Sequence, residues 1–411
     1  MRCRVLLSLL VGLGAIALSA EDWPQFRGPT AQGHSAERGL SIKWSESENV
    51  TWKTPVAGRG WSSPAVAQGK VWLTTAVDDQ GSTSLRALAF DVETGREAIN
   101  TEVFRVANPQ AAHRKNSHAS PTPIVEGDRV YVHFGADGTA ALTTLGEIAW
   151  KTRLSYRSQH GNGGSPALYR DLLIVSCDGS DEAYVAALDK GTGKVRWKTS
   201  RRQPWEQAYS TPLVIHVGDR DQVVSIGAYR AAAYNPQSGK EIWQVSYGTG
   251  FSNVPSPIYG HGLVYIATGF HQPSLLAVRP DGTGDVTSSH IAWTLSRGAP
   301  LTPSPLLVND EIYVVSDNGI ATCVNAKTGE IHWQQRIGGN FSASPVLADG
   351  HIYLLSEEGV ATVLAPGKEF QKLATNSLDG STLASMAVAD GAIFIRSQSH
   401  LYRIGARKSE P

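Results

Sequence analysis

Along Tyr184–Lys198 the apolar run Tyr184–Leu188 is followed by Asp189-Lys190-Gly191-Thr192-Gly193. Alternation then takes over, with Val195 and Trp197 set between Lys194, Arg196 and Lys198. The first segment predicts a strand buried on both faces and the second a half-buried strand of period two. The five residues between them predict a tight turn whose glycine supplies positive φ.

The unit recurs. Asn235–Trp243 and Asn325–Trp333 repeat the loop and place a tryptophan four residues after its last glycine, as Gly193 and Trp197 do. Gly146–Trp150 keeps that spacing without the Asp or Asn. Asp91–Gly95 keeps the loop but has Ile99 in the tryptophan position, and Asp281–Gly284 reaches Trp293 only after an insertion. A second signal is Ser/Thr-Pro ahead of an apolar strand, at Pro64, Pro123, Pro166, Pro212, Pro257, Pro305 and Pro345. Ser385 takes the corresponding place in an eighth copy that lacks the proline. A repeat of roughly 40–50 residues with about four short strands per copy is the signature of a β-propeller. The expected fold is all-β: an eight-bladed β-propeller of four-stranded antiparallel blades over residues 49–404. Blade 8 runs out at Ile404 with room for three strands. Asn49–Pro55, with Trp52 in the tryptophan position, is expected to supply the fourth and close the ring, since an unpaired strand edge would otherwise remain.

Repetition changes what length implies: 411 residues suggest two or three domains, but stacked blades make one body. Residues 1–20 carry Arg2 and Arg4, an apolar run and then small residues. They predict a secretory signal peptide, too short in its apolar part to span a bilayer. Residues 21–48 are expected to be a lead-in pinned by Trp23, Phe26 and Trp44, and residues 405–411 a polar tail. The expected product is an exported, periplasmic or extracellular monomer without a transmembrane segment. Lys and Arg number 37, as do Asp and Glu, so no global charge draws in nucleic acid. Past the leader only Cys177 and Cys323 remain, three blades apart, and they are expected to be buried free thiols.

The loop-plus-tryptophan repeats over Asn49–Ile404 resemble the PQQ-type repeat of quinoprotein alcohol dehydrogenases and of BamB in the outer-membrane β-barrel assembly machinery. That resemblance implies an eight-bladed propeller whose tryptophans dock neighbouring blades. The opening Asp22–Pro29 is similar to the start of secreted PQQ-like repeat proteins, a group that implies no common activity.

Fold alone does not give function. The loops before each first strand and those between second and third strands share one face. The candidate ligand or partner site there comprises Arg59, Trp61, His113, Arg114, Asn116, His118, His160, Asn162, Trp205, Glu206 and Tyr209. His113, His118 and His160, with Asp178, were the one set to weigh as metal ligands. Their spacing matches no compact zinc motif, so no metal site is expected. H-E-x-x-H, G-x-S-x-G and the phosphate-binding glycine loop are all absent from the sequence, and no catalytic residue is assigned. Bound PQQ would need cations for its carboxylates, aromatic faces, Ca²⁺ ligands and a base. Arg59, Trp61, Arg114, Lys115 and Trp205 could supply part of this, but the adjacent cysteine pair of the dehydrogenases is missing. The expected function is a non-catalytic scaffold for a protein, a peptide or an envelope ligand, with no cofactor. The alternatives are a PQQ- and Ca²⁺-dependent oxidoreductase and a small-ligand or carbohydrate-binding propeller.

Overall fold

Seven of the eight blades start at a Ser/Thr-Pro, and the eighth at Ser385. A residue before proline is held extended, and proline, lacking an N–H, is tolerated at the first position of a strand. In the computed structural model, which describes residues 21–110, 112–201 and 206–405, the first strands stand side by side around an axis. They are Ala65–Ala67, Ile124–Glu126, Ala167–Tyr169, Leu213–Val217, Ile258–Gly260, Leu306–Val308, Val346–Ala348 and Ala387–Ala389. The three following strands of each blade pair antiparallel outward, giving eight sheets. The signal-peptide segment and the polar tail from residue 406 lie outside the described residues.

The hydroxyls of the repeat sew the blades together. Ser63 N–H donates to Thr122 Oγ1, Thr122 N–H to Ser165 Oγ and Ser165 N–H to Thr211 Oγ1. The chain of bonds resumes from Ser256 to Ser304, Ser344 and Ser385, and returns from Ser385 to Ser63 Oγ. These bonds measure 2.9–3.1 Å. Between blades 4 and 5 the link differs: Ser210 Oγ donates to Pro255 O at 2.8 Å. Ser385 thus keeps the role of its seven counterparts without the proline.

The turn motif docks blades at their outer edges. Asp189 Oδ1 accepts the N–H groups of Gly191 and Thr192, and Asn235 Oδ1 those of Gln237 and Ser238, so the leading Asp or Asn shapes the turn. In blade 2, where it is missing, Thr143 Oγ1 accepts from Leu145 and Glu147 instead. The turn glycine then lies flat on the tryptophan of the preceding blade. A Cβ on Gly193 would stand 2.4 Å from Trp150, and one on Gly239 2.5 Å from Trp197. The indole N–H of Trp150 donates to Lys190 O and that of Trp197 to Pro236 O, both at 2.9 Å. Two residues on, Thr152 and Thr199 donate to the carbonyls of Gly193 and Gly239. Gly193 has φ +73° and Gly218 φ +62°, but nothing lies within 4 Å of a Cβ on Gly218. Gly218→Ala is expected to cost about 1 kcal/mol from the backbone alone, the low end for an L-residue in the left-handed region. Gly193→Ala is expected to cost roughly 1–2 kcal/mol more, because Trp150 must move. Denaturant midpoints of the two variants check this.

Two features depart from the sequence reading. Val195, expected to face inward, is 48 % exposed. A register shift between Ala187 and Leu188 sets Trp197 and Val195 against consecutive residues, so a bulge breaks the period of two. The Trp243 indole does not bond a turn carbonyl of the next blade: it is fully buried, donates to Gln222 Oε1 and packs with Val286 of blade 5. The insertion before Trp293 folds back as Gly284–Asp285, which pairs parallel to the strand carrying Trp243 and covers it.

The ring closes as expected. Val50–Pro55 pairs antiparallel with His400–Ile404, with a bulge between Val50 and Trp52, and forms the outer strand of blade 8. Trp52 donates to Val92 O in blade 1, and Gly95 packs on its ring. The lead-in then crosses the lower face. Trp23 bridges to Val66 in blade 1, and Pro24 O accepts Val125 N–H of blade 2. Arg27 donates to Pro305 O of blade 6, while Gly33 and Ser35 bond Leu347 of blade 7. Trp23 and Trp44 are buried, the latter stacked on Tyr353. Cys177 and Cys323 are buried free thiols.

Candidate functional site

The lead-in turns the axial channel into a blind funnel. Phe26 forms part of its floor, below the belt of Ser63, Thr122, Ser165, Thr211, Ser304, Ser344 and Ser385. The funnel encloses about 430 Å³ and opens at the upper face. Its upper wall is built by Trp61, His113, Asn116, His160 and Tyr209 on one side, and by Phe251, Phe270, Leu301 and Thr302 on the other. His113 and His160 meet edge to face at 5.7 Å, and His160 Nδ1 bonds the Tyr209 hydroxyl at 2.9 Å. Partial desolvation, helped by the neighbouring His160, Arg114 and Lys115, lowers the His113 imidazole from its usual range. Burial raises the Tyr209 phenol, with Asp178 and Glu206 adding to the effect.

Around the aromatic wall the backbone takes unusual conformations. Tyr229, Ser252 and His271 all have positive φ, and their loops bring Tyr229, Phe251, Phe270 and His271 into one cluster with ring centres 4.6–6.1 Å apart. Phe270 is half exposed at the rim. Strain of this kind gathers at functional sites.

Among the described residues one carboxylate lines the funnel. Asp317 accepts from the N–H groups of Leu301 and Thr302 and from the Thr302 hydroxyl; burial raises its pKa against those bonds. At the lip Lys115 reaches from the long connection into blade 2 to Glu357 of blade 7, 2.8 Å away, and Ser342 also donates to Glu357. Beyond this strut lies a second cleft of about 470 Å³, lined by Arg59, Trp61, Arg114, Lys115, Asn340, Glu357, Ser381, Leu383 and Gln398.

Of the residues expected from the sequence, Trp61, His113, Asn116, His160 and Tyr209 meet in the funnel, and Arg59 and Arg114 in the adjoining cleft. His118 turns aside toward Asp137, 3.8 Å away. Asn162 is buried and donates to Phe134 O beside a water-sized polar void shared with His133 and Asp178. Glu206 is half-buried near Tyr209, and Trp205 lies outside the described residues. Among the described residues no group of three His, Cys, Asp or Glu side chains is placed to hold a metal. Phe26, expected only to pin the lead-in, approaches the funnel from the far end of the channel; the hydroxyl belt was missed, although the Ser/Thr-Pro repeat was its available signal.

A family model described as "Outer membrane protein assembly factor BamB" matches residues 31–225, 110–286 and 282–399. No curated protein matches the chain. Among solved structures, BamB from Moraxella catarrhalis aligns with TM-score 0.56 at 15% identity, over 86% of this chain and 99% of that one. A europium-containing methanol dehydrogenase aligns with TM-score 0.62 at 11% identity, over 92% and 90%. The computationally designed Ika8 protein aligns with TM-score 0.57 at 9% identity, over 89% and 100%. Likeness at these identities carries the fold alone: a dehydrogenase, an assembly factor and a designed ring share it.

Proposed function

The chain belongs to the outer membrane protein assembly factor BamB family, and from that premise we propose that it is an exported, non-catalytic propeller that binds a peptide or protein partner at its upper face. The observation that carries this reading is the blind funnel, with aromatic walls, a neutral hydroxyl belt and a half-exposed aromatic rim. Such a funnel suits an inserted apolar side chain, and a rigid ring with variable loops suits a protein partner. Location outside the cytoplasm is supported by the family and by the leader read in the sequence. Among the described residues no helix is long and apolar enough to cross a membrane.

Among the described residues the donor set does not fit a calcium-bound quinone. Ca²⁺ takes six to eight oxygen ligands, usually with several carboxylates. Asp317 is the carboxylate lining the funnel, and it is already engaged by three donors. Lys115 is held by Glu357.

The reading is tested by screening immobilised peptides from envelope proteins against the purified chain, with Trp61→Ala and Phe251→Ala in parallel. Peptide binding is expected to weaken about tenfold or more in each variant, the range for losing an aromatic anchor, with circular dichroism unchanged. No peptide captured, together with saturable quenching by PQQ and Ca²⁺ and dye reduction on adding an alcohol, would establish the oxidoreductase instead.

A further inference from the structure

The funnel and the cleft beside it form one continuous depression, because Trp61, Lys115 and Leu383 line both. Their chemistry is divided. The funnel is walled by aromatic rings and belted by hydroxyls, and among the described residues the one cation lining it, Lys115, stands at its lip. The cleft gathers Arg59, Arg114 and Lys115 against a single carboxylate, Glu357. Glu357 is taken by Lys115 at 2.8 Å and by the Ser342 hydroxyl at 2.6 Å. Arg59 and Arg114 are exposed, and among the described residues neither guanidinium has an ion-pair or hydrogen-bond partner. The cleft therefore holds two uncompensated guanidinium groups within one opening, next to an apolar hole.

We propose that this pair of subsites captures the C-terminus of a peptide chain: Arg59 and Arg114 take the terminal carboxylate, and the funnel takes an apolar last side chain past Trp61. The inference rests on the peptide-binding reading above and names the part of the peptide that is read. Orientation follows from charge. A carboxylate sent down the funnel would meet Asp317 and neutral hydroxyls, whereas at the lip it meets two guanidinium groups able to make paired hydrogen bonds to its oxygens. The Lys115–Glu357 strut stands between the two subsites, so an internal segment would have to continue past it on both sides, while a chain end stops there.

The test uses a hexapeptide ending in Leu, made as the free acid and as the C-terminal amide, and titrated by calorimetry into the full-length protein and into an R59Q/R114Q variant. Both arginines are exposed, and an unchanged melting point confirms the variant's fold. The free acid is expected to bind at least tenfold more tightly than the amide, the scale of a hydrogen-bonded charge. The double variant is expected to lose that preference while binding the amide as the parent does. Equal affinity for acid and amide, or an unchanged preference in R59Q/R114Q, overturns the proposal. If peptides from the envelope screen bind through internal sequences and the hexapeptide acid does not, the terminus reading fails while the peptide-binding reading stands. N-acetyl-leucine is the third arm: affinity equal to that of the hexapeptide assigns the subsites to small carboxylic acids and overturns the peptide.

Discussion

Deleting residues 21–53 is expected to abolish the monomeric, cooperatively folded ring. The segment supplies most of the outer strand of blade 8, and its loss bares the edge of His400–Ile404. It also carries Trp23, Leu40 and Trp44, which complete the apolar core shared by blades 7, 8 and 1. The narrower change Trp52→Ala removes the indole that packs against Phe394 and Gly95 and bonds Val92 O. It is expected to cost about 3 kcal/mol, the low end for truncating a core tryptophan, since Trp52 is only half-buried. Denaturant unfolding and light scattering measure both. A deletion variant that stays monomeric with an unchanged melting point would show the seam to be dispensable.

Arg201→Met is expected to destabilise the protein by about 3–5 kcal/mol at pH 7, the range for stranding one partner of a buried ion pair. Arg201 Nε lies 2.8 Å from Asp178 Oδ1, with both side chains almost fully buried, and Arg201 also reaches Ser225 in blade 4. Burial pushes Asp178 up to about 6, against the pull of Arg201 and Arg230. Without Arg201 it rises further. Because the folded state then holds a proton that the unfolded state releases, stability falls as pH rises from the unfolded value of 3.8 through the folded one. The gap between parent and variant is therefore expected to be widest near pH 8 and to narrow toward pH 5. Urea titrations at pH 5, 6, 7 and 8 measure it, and a pH-independent gap would mean that packing, and not charge, is what Arg201 provides.

The blades were legible because their signals are local. An Asp or Asn that shapes a turn, a glycine at positive φ and a proline at a strand start each act within a few residues. Closure could be read as well, since Trp52 repeats a motif seen elsewhere in the chain. Val195 was misread because a bulge is invisible to a count of alternating positions. The funnel was only partly legible. Trp61, His160 and Tyr209 precede first strands and so must face the axis, but His118 and Asn162 occupy similar places and turn away toward Asp137 and Phe134. Which side of a loop a residue takes depends on neighbours from other blades. Phe26 and the Lys115–Glu357 strut join residues far apart in sequence, and no short-range pattern marks such pairs.

Closure by Val50–Pro55 also sets a timetable. Val50–Pro55 is made before the blades and its partner His400–Ile404 after seven of them, so the strand waits unpaired while they form. Bringing these ends together costs on the order of 5 kcal/mol of chain entropy for a loop of about 350 residues. A chain interrupted anywhere before blade 8 can stack its finished blades and seat Trp52 on blade 1, but Val50–Pro55 then has no strand to pair with. The ring therefore completes only when blade 8 is in place, and a product that stops short of it keeps an unpaired strand edge.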